Sequence, residues 1–508
     1  MISETKRPAF VRNATILSLV FTLELICRMG WIKPGLVVAP SLMVAELARL
    51  MGTASFWASV WTSAGCIATA FVLALAFGTI IGLVLHAFPR VRGASEPLIA
   101  SWYALPFFVV YPLLIVLMGM NTKPIILIGF LYALMAVIIG VLNGLDRIPP
   151  VLVRTGRVLR MNSLQQAVYI SLPAAAPYVF TGAKLAFGYS ITGVLGSEFI
   201  LATDGYGYNI AFAYNNFEDK KMYALLLFLL IVVSLLTTLM LRASRVVEHR
   251  SGAAPVNNTL QNTTGLSKLL AVLVVTLVLL GLWQWGHTIV GREALAAPGV
   301  TFTHTVTLMG GEVLWVHVGE TFKALSFSLI ISCAAGALLG SLVGMSALAT
   351  AAVSPVLVTL YALPKVALYP LVLLFFGIGL QAKIVFGAMY GLIPMMLIVI
   401  NAIQSMNQAL PKTARVMRLT RLQTLTTVIV PAMVPELVTG IRISFSITFL
   451  GVMIGEMFAS TRGLGYLLMN SININDSATI MSVTLMVAIF AVAVNSGLLA
   501  IDKAVHRG

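Results

Sequence analysis

Long apolar runs alternate with short polar joints from one end of the chain to the other. Twelve runs are long enough, at about 18 residues or more, to cross a hydrocarbon core of about 30 Å as α-helices. They fall near 14–31, 61–86, 97–119, 124–144, 174–202 and 222–242, then near 267–288, 322–345, 353–377, 382–403, 432–458 and 478–500. Between the two sets lies a polar stretch, 249–266, with Gly, Pro, Asn and Thr and no apolar period. That composition predicts a flexible linker. The expected fold is all-α and polytopic, with a six-helix unit at 1–248, a linker at 249–266 and a second six-helix unit at 267–508.

The two units are copies. Arg154-Thr-Gly-Arg157-Val-Leu-Arg160 is matched by Lys412-Thr-Ala-Arg415-Val-Met-Arg418. Pro173 with Pro431, Glu198 with Glu456 and Tyr208 with Tyr466 all stand 258 residues apart. Tyr103-Ala-Leu-Pro106 pairs with Tyr361-Ala-Leu-Pro364, Gly78 and Gly82 with Gly336 and Gly340, and Trp57 with Trp315, in the same register. One register held over so many Gly and Pro positions marks an internal duplication. Six spans per copy bring both copies into the membrane the same way round, as parallel repeats about an axis along the membrane normal.

Of the 508 residues 59% are hydrophobic and only 10% charged, against about 25% charged in soluble domains. The net charge of +15 does not point to nucleic acid, because the basic residues gather in alternate joints. With the amino terminus inside, the inner joints hold Arg90, Arg92, Arg147, Arg154, Arg157, Arg160, Arg242, Arg245, Lys412, Arg415, Arg418 and Arg421, while the outer joints hold much of the acid. Charge bias therefore puts both termini in the cytoplasm. The outer segments 32–56 and 289–320 contain short amphipathic stretches suited to the membrane surface. Cys27, Cys66 and Cys333 sit in apolar runs and read as packing thiols. Arg28 and Trp31 follow the first run where a cleavage site would need small residues, so a retained first span is expected.

The longest inner joints lie between the fourth and fifth spans of each copy. Arg154, Arg157 and Arg160, like Lys412, Arg415 and Arg418, recur every three residues, which puts them on one side of a short helix. Pro149-Pro150 and Pro411 suit its start. Anionic headgroups would attract such a helix at roughly 1 kcal/mol per basic residue. Its recurrence in both copies, with Leu164/Leu422 and Gln165/Gln423 preserved, is what a two-fold symmetric soluble partner would need.

The run from this basic helix through Leu172-Pro173, Pro177, Gly182 and Glu198 to Gly205-Tyr-Gly-Tyr208, and its second copy, resembles the permease subunit of bacterial ABC importers. It is most similar to the nitrate/sulfonate/taurine branch. The resemblance covers about Pro40 to Tyr208 and Pro298 to Tyr466. It implies the type I importer permease fold, with both permease halves in one chain. It implies that Arg154, Arg157, Arg160, Leu164, Lys412, Arg415, Arg418 and Leu422 form coupling helices. Those would dock on two ATP-binding subunits, with ATP and Mg held there and no cofactor on this chain. An extracytoplasmic binding protein would deliver a small solute, anionic or resembling a vitamin precursor. The family loop usually reads Glu-Ala-Ala-x3-Gly. Here the Glu position carries Arg154 or Lys412, and the Gly position carries Arg160 or Arg418.

Inside the membrane, Glu198 and Glu456 are costly and mark a functional site by default. They either line or gate the path, or reach back to cap the outer Gly-x-Gly-Tyr turns. Tyr103, Pro106, Tyr361 and Pro364 place proline kinks in the third and ninth spans, beside the path or in helix packing. Glu24 and Arg28, four apart, are expected to pair, and the Gly78/Gly82 and Gly336/Gly340 spacings predict close helix contact. The chain has no phosphate-loop motif and no metal or nucleophile signature. The rival reading is a twelve-span ion-coupled carrier using Glu198 and Glu456.

Overall fold

The computed structural model describes residues 7–32, 36–102, 106–148, 150–248, 265–291, 295–406, 414, 416–458 and 460–505. Every regular element among them is helical. Hydrocarbon offers no water to backbone N–H and C=O groups, and a helix satisfies them within the segment. Eight described helices are long and apolar enough to cross a membrane: Arg7–Arg28, Ala54–Ala87, Thr122–Asp146, Asp219–Met240, Glu312–Gly344, Leu380–Ser405, Val434–Phe458 and Ser477–Val505. Leu172–Leu201, of 30 residues, and Gly265–Val290, of 26, coincide with the spans expected at 174–202 and 267–288. Gly265 and Leu266, expected in the linker, already belong to that helix.

The spans expected at 97–119 and 353–377 are broken where a kink was predicted. In the first copy the helix Pro89–Trp102 is followed by a short turn, Phe107–Val109, and a second helix, Tyr111–Met118. In the second copy Ala347–Ala362 and Lys365–Phe376 meet at 91°. Leu363 has ψ 134°, an extended conformation, which is where a residue preceding proline is driven. The helix therefore ends before Pro364 and restarts after it.

In each copy three helices stack in the same way. Thr122–Asp146 lies between Ala54–Ala87 and Leu172–Leu201, and Leu380–Ser405 lies between Glu312–Gly344 and Val434–Phe458. Gly78 and Gly82 allow the first contact, since a Cβ at either would stand 2.7 Å from Val137 or Val141. Gly336 and Gly340 do the same against Met395 and Val399, with approaches of 2.7 and 2.9 Å. The predicted close contact of small residues is thus present in both copies.

The copies interlock reciprocally. Arg7–Arg28 packs on Ala347–Ala362 of the second repeat, and Gly265–Val290 packs on Pro89–Trp102 of the first. Asp219–Glu248 also touches Ala347–Ala362, as Ser477–Val505 touches Pro89–Trp102. Such mutual exchange is the mark of a two-fold relation. One buried cluster runs across the joint, with Phe108 and Tyr111 from the first repeat and Leu363, Val366, Tyr369 and Phe386 from the second. Phe199 meets Phe458 edge-on there, with ring centroids 4.5 Å apart. Outside the stacks, Pro40–Met51 lies against Asp219–Glu248, and Pro298–Met309 lies against Ser477–Val505. Trp57 and Trp315 each donate an indole hydrogen bond to the last residue of these short helices, to Met51 at 2.8 Å and Met309 at 2.9 Å. Glu24 and Arg28 pair as expected.

Candidate functional site

The basic joint of the first repeat starts as a helix, Pro150–Val158, on the proline that predicted its start. Arg154 and Arg157 project from it, exposed. Arg160 does not share the helix, because it adopts φ 51° and turns the chain out of it. Left-handed backbone ends helices, so the three-residue spacing overstated the helix by two residues. Arg418 has the same φ of 51°. Val158 and Leu159 are exposed beside Arg157 and Arg160, as Val416 and Met417 are beside Arg418 in the second copy, so each joint presents exposed apolar residues next to an exposed arginine. Lys412 and Arg415 lie outside the described residues.

After the turn, each joint carries a reciprocal cap. The Asn162 backbone N–H donates to the Gln165 side chain at 3.0 Å, and the Gln165 N–H donates to the Asn162 side chain at 2.7 Å. Thr420 and Gln423 repeat the exchange at 2.9 and 3.2 Å. This is the capping box, and it explains why Gln165 and Gln423 occur in both copies. The boxes start the one-turn helices Ser163–Gln166 and Arg421–Thr424, which contain Leu164 and Leu422 and widen into the π-turns Ala167–Ser171 and Leu425–Ile429.

Glu198 and Glu456 are buried, with 1% and 0% of their surface exposed. Each closes the same small network. Ser63 Oγ donates to Glu198 at 2.7 Å, and the Gly207 N–H donates to it at 2.9 Å. Ser63 Oγ in turn accepts the Tyr206 N–H at 2.7 Å. In the second copy Thr321 Oγ1 donates to Glu456 at 2.8 Å, Gly465 N–H donates at 3.1 Å, and Thr321 accepts the Leu464 N–H at 2.9 Å. The carboxyls thus cap the helices Tyr206–Asn215 and Leu464–Asn473, which open on Gly205 at φ 112° and Gly463 at φ 126°. A Cβ at either glycine would collide with the carboxyl group, so the Gly of Gly-x-Gly-Tyr answers to both the turn and the cap. Ser63 and Thr321 were not singled out from the sequence. Their signal was a hydroxyl at the same place in both copies.

The surroundings of the two carboxyls differ. Lys383, 1% exposed, lies 3.9 Å from Glu456, 3.4 Å from Glu320 and 2.8 Å from the Arg462 carbonyl oxygen. The first copy has Ile125, Thr62 and Asp204 at those positions. Gly463 N–H donates to His317 Nδ1 at 3.0 Å, whereas Gly205 N–H donates to Asp204 at 2.7 Å.

At the breaks, Tyr103 lies outside the described residues, and Pro106 heads the turn Phe107–Val109. Pro364 heads the turn Lys365–Leu368, which lies against Leu172–Leu201 of the other repeat. Tyr361 hydrogen bonds Tyr189 of that same helix. The turn also buries Lys365, 5% exposed, whose ammonium donates to the Tyr361 carbonyl oxygen at 3.3 Å. It stands 5.0 Å from the Tyr361 ring and 5.2 Å from the Tyr390 ring. Its counterpart is Phe107, packed on Trp102 and Tyr132. Lys365 and Lys383 were missed in the sequence, although a basic residue in an apolar run with no equal in the other copy is itself a signal.

The comparisons with known proteins match both repeats. The model of the binding-protein-dependent transport system inner membrane component family matches twice, over residues 74–252 and 334–508. An ABC transporter permease protein of Haemophilus influenzae is 29% identical over 243 residues, covering 97% of its own length but 47% of this chain. The taurine transport system permease of Escherichia coli is 25% identical over 246 residues, covering 90% of its length and 47% of this chain. A nitrate import permease of Leptolyngbya laminosa is 26% identical over 193 residues, covering 69% of its length and 38% of this chain. Each relative is about one repeat long. The chain therefore belongs to the inner-membrane components of binding-protein-dependent transport systems, and it carries that component in duplicate.

Proposed function

We propose that this chain supplies both permease halves of an ATP-driven importer and forms the path for a small solute between its repeats. It would cross the membrane twelve times with both termini in the cytoplasm. The observation that carries the reading is the pair of equivalent joints, each with an exposed arginine at φ 51°, a reciprocal cap and exposed apolar residues beside it. Two ATP-binding subunits holding ATP and Mg would grip Arg154, Arg157, Arg160 and Leu164 on one side and Lys412, Arg415, Arg418 and Leu422 on the other. A binding protein would deliver solute to the opposite face. Closure of the ATPase pair would move both joints together, and delivery of the loaded binding protein would favour that closed state in return.

The taurine and nitrate permeases among the relatives favour an anionic or zwitterionic solute. The ion-coupled carrier gains no support, since the carboxyls it would use are committed to helix caps. Arg157→Glu together with Arg415→Glu, in proteoliposomes with the ATPase and binding protein, should leave ATP hydrolysis running while import falls at least tenfold. Import at the wild-type rate would overturn the coupling role.

A further inference from the structure

Among the described residues two lysines, Lys365 and Lys383, are deeply buried, and they differ in kind. Lys383 is satisfied by Glu320, Glu456 and the Arg462 carbonyl oxygen. Lys365 has no carboxylate within 4.0 Å among the described residues, and one hydrogen bond, at 3.3 Å, to a backbone carbonyl. A lone cation taken out of water is costly unless something compensates it, and the facing tyrosine rings supply only part of that compensation.

A further group nearby is incomplete. The Tyr390 hydroxyl is buried and makes no hydrogen bond, and the same holds for its counterpart Tyr132 in the first repeat. The Tyr390 ring is also one of the two that face the Lys365 ammonium. A cation short of an acceptor, beside a hydroxyl donor short of a partner, is complementary to an anion with several acceptor oxygens. Irregular backbone at membrane depth is tolerated where it is buried in protein or lines a path, and the cluster sits at such a break, against the opposite repeat.

We propose that Lys365, with the Tyr390 hydroxyl, is the anion-binding point of the path and receives one singly charged small oxyanion of the nitrate or sulfonate type. The site is one-sided, because Phe107 occupies the equivalent position in the first repeat. One ammonium balances one negative charge, so monoanions are favoured over dianions and a cationic solute is repelled. This deepens the importer reading and rests on it for a path between the repeats.

The full chain in zwitterionic lipid nanodiscs, titrated with sodium nitrate and sodium ethanesulfonate, should show a saturable rise in unfolding temperature with at least one of them. Sodium sulfate at matched ionic strength should give no saturable rise. Lys365→Met should abolish the effect, Lys365→Arg should keep it, and Tyr390→Phe should weaken the apparent affinity severalfold. A saturable rise that survives in Lys365→Met, or no saturable rise in the wild type, overturns the proposal. The importer reading fails separately. If proteoliposomes with ATPase and binding protein show no ATP-driven uptake while the Lys365-dependent shift persists, the importer is refuted and the anion site stands.

Discussion

Arg160 and Arg418 occupy positions where the resembled loop carries glycine, and both take the left-handed conformation that favours glycine. A non-glycine residue there costs about 1 kcal/mol or more. Arg160→Gly with Arg418→Gly should therefore leave the fold intact and raise stability slightly, by up to about 1 kcal/mol after the entropy of the unfolded chain is counted. Thermal unfolding in detergent measures this, and a clear loss would mean the arginine contacts outweigh the strain.

The buried carboxyls support a sharper contrast. Glu198→Gln keeps an acceptor for the Gly207 N–H and disturbs no buried cation. Glu456→Gln removes a carboxyl 3.9 Å from buried Lys383. The second substitution should cost ~1–3 kcal/mol more than the first, and equal unfolding temperatures for the two variants would contradict it. Outside the spans, Asp476 accepts the Thr479 N–H at 3.0 Å and caps the last helix. Burial works against its carboxylate, yet the Thr479 hydroxyl and N–H hold it below the usual carboxylate range. A lowered folded value means that this stabilisation is present above about pH 4 and fades as pH falls further. Asp476→Ala should thus cost about 0.5–2 kcal/mol at neutral pH, with the difference from wild type shrinking in acid unfolding curves.

At the scale of elements, the duplicated glycines and the helix stops were legible because each acts through its neighbours in sequence or through one close contact. Gly82→Leu should drive Ala54–Ala87 away from Thr122–Asp146, since even a Cβ there stands 2.7 Å from Val141. Overpacking of this kind costs about 1–3 kcal/mol, read as a lower unfolding temperature. Other features were only half legible. Tyr361-Ala-Leu-Pro364 announced a disturbance, but whether a proline bends a helix or breaks it depends on what satisfies the freed backbone groups. Here the turn Lys365–Leu368 rests on a helix of the other repeat, which makes a 91° break affordable. The carboxyl caps were visible as an alternative, and no sequence rule chose between cap and gate.

Across the whole molecule, the repeats are held together by exchanged helices as well as by a face. Residues 1–248 and 267–508 expressed as separate tagged chains in one cell should co-purify, because Arg7–Arg28 and Gly265–Val290 each pack on the other repeat. Recovery of the two halves only as independent species would contradict the reciprocal arrangement.

The amino-acid sequence alone determined the membrane class, the duplication, the family resemblance and the equivalence of the two basic joints. Those follow from hydropathy, spacing and register, which are properties of the chain taken in order. Only the tertiary structure decided that Glu198 and Glu456 close helix caps, that Lys383 is matched and that Lys365 is not. Whether a buried charge has a partner depends on atoms far away along the chain, and only folding brings those together.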